Sequence, residues 1–224
     1  MEPRKKKTIA VIGGVGTALN IIEHITDAIL KYSAGISLLG IVIDSYEKGS
    51  LIAGIPVLGG RDQIPALLDN SEVMFLFSMY KPEMMKERYR LMESLGIPPE
   101  RYTGFIHPSA YVAGSAIIGR GNIILSNATV NSNVVLGNMN IINCNVTIEH
   151  DTVVGNGNFL AAGSTTGARV KIGNHCFIGL NASLREEVSV DEVFVGMHSL
   201  VLSDFSGVTV AGVPARVLDR KAGI

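Results

Sequence analysis

Two stretches of this 224-residue chain carry side chains that could do chemistry. The first is Ile148-Glu149-His150-Asp151, an imidazole between two carboxylates. A carboxylate beside a histidine orients the ring and raises its basicity, which suits a general base. The second is Gly14-Val15-Gly16-Thr17-Ala18-Leu19, a partial match to G-x-G-x-x-G in which Leu19 stands where Gly or Ala is usual. A glycine turn that follows a strand and opens a helix presents main-chain N–H groups to a phosphate. Asp44, after the next apolar run, could accept hydrogen bonds from a ribose or a base. The alternative for the turn is close strand–helix packing alone.

The elements that must position these residues are legible from periodicity. From Ile106 to Val190 every sixth residue is aliphatic, with Thr166 the single break. Neither a helix nor a two-faced strand has a period of six. The repeat predicts a parallel β-helix in which three short strands make a triangular coil and each inward aliphatic stacks on its equivalent one coil away. Gly, Asn and Asp fall at the corners, where positive φ is cheap for them. The row predicts about five coils, followed by a one-residue phase slip before Val195 and Val201 resume it. His150 lies two residues past an inward aliphatic, so its ring points away from the core. Spacing alone leaves open a catalytic histidine or an exposed corner histidine.

Before the hexads, apolar runs at Thr8–Ile12, Leu38–Ile43 and Val73–Phe77 alternate with helical patterns after Gly16 and from Pro82 to Leu95. Strands alternating with helices predict a small parallel α/β sheet. The two parts divide near residue 104, giving an α/β domain over 1–104 and a β-helix with its tail over 105–224. About 100 residues hold half of a two-part dinucleotide fold, which argues against a full NAD oxidoreductase.

The other residues narrow the field. Net charge is −1, so no global field draws the chain to nucleic acid or a membrane. The basic stretch Met1–Lys7 lacks a following apolar segment and reads as a solvated tail. No apolar run reaches the roughly 18 residues of a membrane span. Cys144 and Cys176 are too few for a disulfide framework, and a reducing cytoplasm is the simplest location. Both cysteines fall near small inward positions and read as packing residues. His24 reads as a satisfied helix residue and His107, before Pro108, as structural. The spacings among His150, His175 and His198 are not multiples of the coil repeat, so no metal site is expected.

The whole chain resembles the bacterial hexapeptide-repeat sugar acetyltransferases with a small Rossmann-like N-terminal domain, the group of sialic-acid O-acetyltransferase-like proteins and UDP-4-amino-sugar N-acetyltransferases. The resemblance is carried by Gly13-Gly14-Val15-Gly16, Ile106-His107-Pro108-Ser109-Ala110, the hexads, Ile148-Glu149-His150-Asp151 and Val213-Pro214-Ala215-Arg216. It implies a left-handed β-helix, a homotrimer with active sites between neighbouring β-helices, acetyl-CoA as donor, and a nucleotide-linked amino sugar as acceptor in glycan biosynthesis. It implies His150 as the base, Asp151 as its acidic neighbour and Asn143 as an active-site residue. It aligns Phe159, Leu180 and Met197 with coenzyme contacts, the Phe159 ring packing on a pantetheine or adenine face, and Val15, Gly16, Thr17, Asp44 and Ser45 with nucleotide-sugar contacts. The chain departs from the family pattern in three places. Phe159 replaces a histidine that touches the coenzyme, Thr17 replaces a histidine in the glycine turn, and Ser78-Met79 replaces a Gly-Asn or Gly-Asp pair.

The reaction expected is direct attack of an acceptor amine on the thioester, with His150 removing the proton, Asp151 stabilising the imidazolium, and a main-chain N–H around Gly167–Ala168 stabilising the oxyanion. The alternatives are a sugar O-acetyltransferase and a chemically silent trimeric nucleotide-sugar-binding relative.

Overall fold

The computed structural model describes residues 7–218; of the basic stretch read as a tail, all but Lys7 lies outside them, as do residues 219–224. β1 (Lys7–Ile12), β2 (Ile36–Val42), β3 (Leu51–Ile52), β4 (Ile55–Gly59) and β5 (Val73–Phe77) form one sheet in the order β3-β4-β2-β1-β5. All neighbours are parallel except β3 against β4. Ile9–Ile12 and Phe75–Phe77 are fully buried, as strands covered on both faces must be.

The helix α1 (Thr17–Tyr32) buries Ala18, Ile21, Ile22, Ile25 and Ala28, the 3–4 spacing of one apolar stripe. It ends at Ser33, whose φ of 55° turns the chain and sends its N–H to Ala28 O. α2 is the short segment Ile64–Leu68, and α3 (Met85–Ser94) follows a 3₁₀ turn at Pro82–Met84. From β1 the chain runs out one way to β2 and β4, then crosses to β5 on the other side of β1. The strand order therefore reverses between the carboxyl ends of β1 and β5, where open α/β sheets form ligand crevices.

From Phe105 onward the chain forms a parallel β-helix of two- and three-residue strands on three faces. The first face begins at Phe105–Ile106, the second at Tyr111–Val112 and the third at Ile117–Ile118. Each strand pairs in parallel with its equivalent 18 residues on, as in Ile141↔Phe159, Thr129↔Thr147 and Val135↔Val153. The inward residues, among them Ile124, Val130, Leu136, Ile142, Ile148 and Val154, make one continuous core. The expected slip is present: Phe177↔Phe194 and Ser183↔Leu200 pair one residue short of the repeat. Beyond the five coils counted from the hexads, Val195, Val201 and Phe205 complete a sixth.

Corners are held by asparagine ladders as well as by positive φ. Asn122 Oδ1 accepts from Asn140 N and Nδ2, and Asn140 Oδ1 accepts in the same way from Asn158. These side chains are almost fully buried, and each also donates to a main-chain carbonyl of the coil, so the burial leaves little unsatisfied.

The α/β sheet and α1 cover the first face. Outward Phe105, Ile123 and Ile141 pack in one cluster with Ile21, Ile25 and Ala28. Further along, Phe159, Phe177 and Phe194 stack at centroid distances of 5.5 and 4.8 Å under Met85 and Tyr80. Tyr80 donates its hydroxyl to Met139 O, and burial pushes its pKa up. The second and third faces carry outward Thr129, Thr147, Thr165 and Ser183, and outward Ile117, Val135 and Val153.

Candidate active site

His150 sits at the corner between the second and third faces, after the strand Thr147–Ile148 and before Val153–Val154. Its Nδ1 lies 2.7 Å from Asp151 Oδ2, with the two side chains 48% and 44% exposed. Asp151 adopts a φ of 60°, a left-handed conformation that aspartate tolerates. Its carboxyl is held below the usual range first by the hydrogen bond from His150 and then by that from Asn133, whose Nδ2 reaches Oδ1 at 3.0 Å. An ionised Asp151 accepts the Nδ1 proton, which leaves Nε2 as the free basic nitrogen facing solvent.

The main chain beneath the pair is fixed by Thr166, the residue that breaks the aliphatic row. Its side chain points inward, is 2% exposed, and its hydroxyl accepts the N–H of Glu149 at 3.0 Å. Arg169 N–H donates to His150 O at 3.0 Å. Gly167 N–H is committed to Leu184 O, so it is no oxyanion donor. Ala168 stands one coil on from His150, and among the described residues nothing accepts from its N–H.

Asn143 lies at the preceding corner, between the first and second faces, and donates from Nδ2 to Leu160 O at 3.3 Å. Within one chain it is separated from His150 by the second face. Leu180 and Met197 share the Asn143 corner on later coils and form an exposed apolar ridge, 40% and 64% accessible. An exposed apolar ridge beside outward main-chain groups fits a pantetheine arm. Phe159 is apart from that ridge. It is the outward residue of a first-face strand, stacked on Phe177 and beside Tyr80 at 6.2 Å.

The glycine turn and the segment after β5 enclose a cleft at the reversal of strand order, lined by Gly14, Val15, Thr17, Ser78, Met79, Tyr80 and Arg88. Gly16 has φ 106° and ψ −98°, a conformation open to glycine, and caps α1 without a side chain. Gly13 is needed for close approach: a Cβ there would lie 2.2 Å from Ser78 Oγ and 2.6 Å from Ala18 Cβ. Ser78 is buried, and its hydroxyl donates to Ile12 O at 2.9 Å. This departure from the family pattern therefore joins β5 to β1. Asp44 and Ser45 follow β2 on the same edge of the sheet; Asp44 accepts from Arg61 N at 2.8 Å and from Arg61 Nε at 2.6 Å.

His24 packs against Cys144, with Nε2 3.4 Å from Sγ, and its pKa is lowered by burial and by His107. His107 is buried with Nδ1 2.8 Å from Ser109 Oγ and Nε2 3.2 Å from Asp27 Oδ2. Both are junction residues. Both cysteines are free, and burial pushes the Cys176 thiol up to about 12, which removes it as a nucleophile. Among the described residues no cluster of three or more His, Cys, Asp or Glu could hold a metal, and no helix is long and apolar enough to cross a membrane.

No family model and no curated protein matches the chain. Solved structures do. The acetyltransferase domain of PglB from Neisseria gonorrhoeae, in complex with acetyl coenzyme A, is 27% identical with a TM-score of 0.79, over 95% of this chain and 100% of that one. PerB from Caulobacter crescentus, in complex with CoA and GDP-perosamine, is 25% identical with a TM-score of 0.80, over 95% and 97%. The chain has the fold of the hexapeptide-repeat sugar N-acetyltransferases. WeeI from Acinetobacter baumannii shares that acetyltransferase fold at 19% identity and a TM-score of 0.76, over 94% and 100%.

Three residues of the acetyltransferase fold escaped sequence reasoning. Asn133 stands 18 residues before Asp151, so the coil repeat itself was the signal for that contact. Tyr80 and Arg88 reach the cleft through the packing of α3 and the segment before it, which no local pattern announces.

Proposed function

We propose that this chain is an acetyl-CoA-dependent N-acetyltransferase acting on a nucleotide-linked amino sugar in bacterial glycan biosynthesis. The observation that carries the reading is the His150–Asp151 pair at a solvent-facing corner of a coil fold held in common with an acetyl-CoA-bound acetyltransferase domain over 95% of the chain. The acceptor class draws on PerB, which is bound to CoA and GDP-perosamine. The same reading takes the coil as left-handed, residues 1–104 as a Rossmann-like nucleotide-sugar domain, residues 105–224 as the acetyltransferase domain, and the location as cytoplasmic.

In this reading His150 Nε2 takes a proton from the acceptor amine as the nitrogen bonds to the thioester carbon. Asp151 holds the imidazolium that forms. Ala168 N–H donates to the oxygen that gains charge. As the C–S bond breaks, Nε2 returns the proton to the departing sulfur, giving an amide and a free thiol. Leu180 and Met197 line the corner that takes the coenzyme, Asn143 at the same corner is an active-site residue, and Val15, Gly16, Thr17, Asp44 and Ser45 hold the nucleotide sugar. Phe159 is read as a ring for the pantetheine or adenine face of the coenzyme, without the hydrogen bond a histidine would add.

One geometric fact favours an oligomer. The α/β domain covers the first face, and His150 stands at the vertex opposite that face. An amino sugar at a chain's own glycine turn therefore lies across the coil from its own His150. A homotrimer solves this by setting one chain's cleft against a neighbour's corner. The exposed apolar residues Tyr111, Ile117 and Val153 offer the surface for it.

The test is thiol release from acetyl-CoA across UDP-, GDP- and dTDP-linked amino sugars, with His150→Ala as control. Release that needs one amino sugar and falls in the variant supports the assignment. No release with any amino sugar, despite coenzyme binding, overturns it.

A further inference from the structure

Arg88 lies in the first half of α3 and lines the cleft with the glycine turn. Its Nε is closed to solvent, and among the described residues nothing accepts a hydrogen bond from any of its nitrogens. Arg101, which is drawn into the protein to a similar degree, shows the usual outcome: its Nε, Nη1 and Nη2 donate to the carbonyls of Val73, Leu68 and Asn70. A guanidinium nitrogen withdrawn from water without an acceptor is costly, and such groups in folded proteins call for an explanation.

The cleft supplies one. Its lining contains no Asp or Glu. The Ser78 and Tyr80 hydroxyls already donate to Ile12 O and Met139 O. What remains free is a set of donors: the Arg88 guanidinium, the Thr17 hydroxyl and the main-chain N–H groups at the uncapped start of the 16-residue α1. The helix α3 is held to the coil by the residues that flank Arg88. Met85 packs with Phe177 and Ala161 of the coil, and the Tyr89 ring lies 5.0 Å from that of His175. The helix carrying the guanidinium is thus anchored to the β-helix before any ligand arrives.

We infer that Arg88 is the anion-binding residue of the acceptor site, and that its guanidinium takes the diphosphate of the nucleotide-linked sugar opposite the α1 N-terminus. A planar fork matches phosphate oxygens in pairs, which a lysine ammonium does not reproduce. The inference rests on the nucleotide-sugar reading of this cleft and adds to it the group that selects a diphosphate over a bare nucleoside.

The experiment is calorimetric titration of the full chain with UDP, GDP, dTDP and CDP, and with the matching nucleosides. It compares wild type with Arg88→Gln, Arg88→Met and Arg88→Lys. The Met variant keeps the aliphatic stem, so loss of packing is separated from loss of charge. Coenzyme A affinity and the thermal midpoint report folding. The expected result is a diphosphate Kd raised about tenfold or more in the Gln and Met variants. The Lys variant should recover part of the loss, with nucleoside and coenzyme A affinities unchanged. Wild-type diphosphate affinity in both the Gln and Met variants would overturn the role of Arg88 and leave the nucleotide site standing. A wild-type protein that binds coenzyme A but no nucleoside diphosphate would overturn both.

Discussion

His150 Nδ1 and Asp151 Oδ2 are 2.7 Å apart at the vertex of the coil that faces away from the α/β domain. The contact fixes the tautomer, since Nδ1–H donates to the ionised Asp151 carboxylate and Nε2 is left to act. His150→Ala should lower kcat by about 10²–10⁴-fold. Asp151→Asn is the sharper probe, because asparagine tolerates the φ of 60° there while it removes the charge and one of the two oxygens that accept from His150 and Asn133. A charge-assisted hydrogen bond is worth about 1.5–3 kcal/mol, so kcat should fall roughly ten- to hundredfold with the KM for acetyl-CoA unchanged. Steady-state rates in the Asn variant equal to wild type would remove Asp151 from the mechanism.

Thr166 is where the aliphatic row yields to the site. Its hydroxyl accepts Glu149 N–H inside the coil, next to His150. Thr166→Val restores the row and leaves that donor without a partner, at a cost of about 1–3 kcal/mol. The expected outcome is a lower thermal midpoint together with a lower kcat, because the main chain carrying His150 shifts. Thr166→Ser should keep both values near wild type. A valine variant as active and as stable as wild type would mean that the hydroxyl fixes nothing.

The glycine turn separates packing from binding position by position. At Gly13 an added Cβ meets Ser78 Oγ and Ala18 Cβ well inside contact distance. Overpacking of this kind costs about 1–3 kcal/mol, so Gly13→Ala should lower the thermal midpoint by several degrees. At Gly14 a Cβ meets nothing within 4 Å, and the residue lines the cleft. Gly14→Ala should leave the midpoint unchanged and weaken nucleoside diphosphate binding. Equal midpoints for the two variants in differential scanning calorimetry would refute the close packing of β1 against β5.

Much of the coil was legible because its determinants are local and periodic. Inward aliphatics recur every six residues, and corner residues tolerate left-handed φ, so Ile148, His150 and Asp151 could be oriented before any coordinate was known. What was not legible depends on which face is covered. The Phe159 ring lies on the first face between Tyr80 and Phe177, a setting decided by what covers that face. The signal was present in Phe105, Ile123, Ile141, Phe159, Phe177 and Phe194, an outward apolar ladder at the coil repeat that a solvated face would not carry. His107 with Asp27 and Arg88 with the glycine turn join segments far apart in sequence, and tertiary packing alone decides them.

The junction gives the protein an acid-sensitive stability. The His175 pKa is lowered from 6.5, chiefly because burial penalises the imidazolium, and its Nδ1 has no partner beside the Tyr89 ring. His24 is lowered from the same value, by burial first and then by the charge of His107. In the unfolded chain both rings titrate near 6.5, so between the folded value and that point the unfolded state binds more protons and stability rises with pH. The full contribution is present above 6.5 and is lost as pH falls through the folded values. Asp27 and Glu192 are also lowered, by Lys31 and Lys86, but from 3.8 and 4.5, so their contributions are lost only in more acid solution. The thermal midpoint should therefore fall between about pH 7 and pH 5, within the range where an unperturbed histidine titrates. His175→Asn keeps the left-handed φ of 55° and removes one of the two titrating rings, so its midpoint should change less over that interval. Parallel midpoint curves for wild type and the Asn variant would show that His175 accepts its proton in the folded protein as readily as in the unfolded chain.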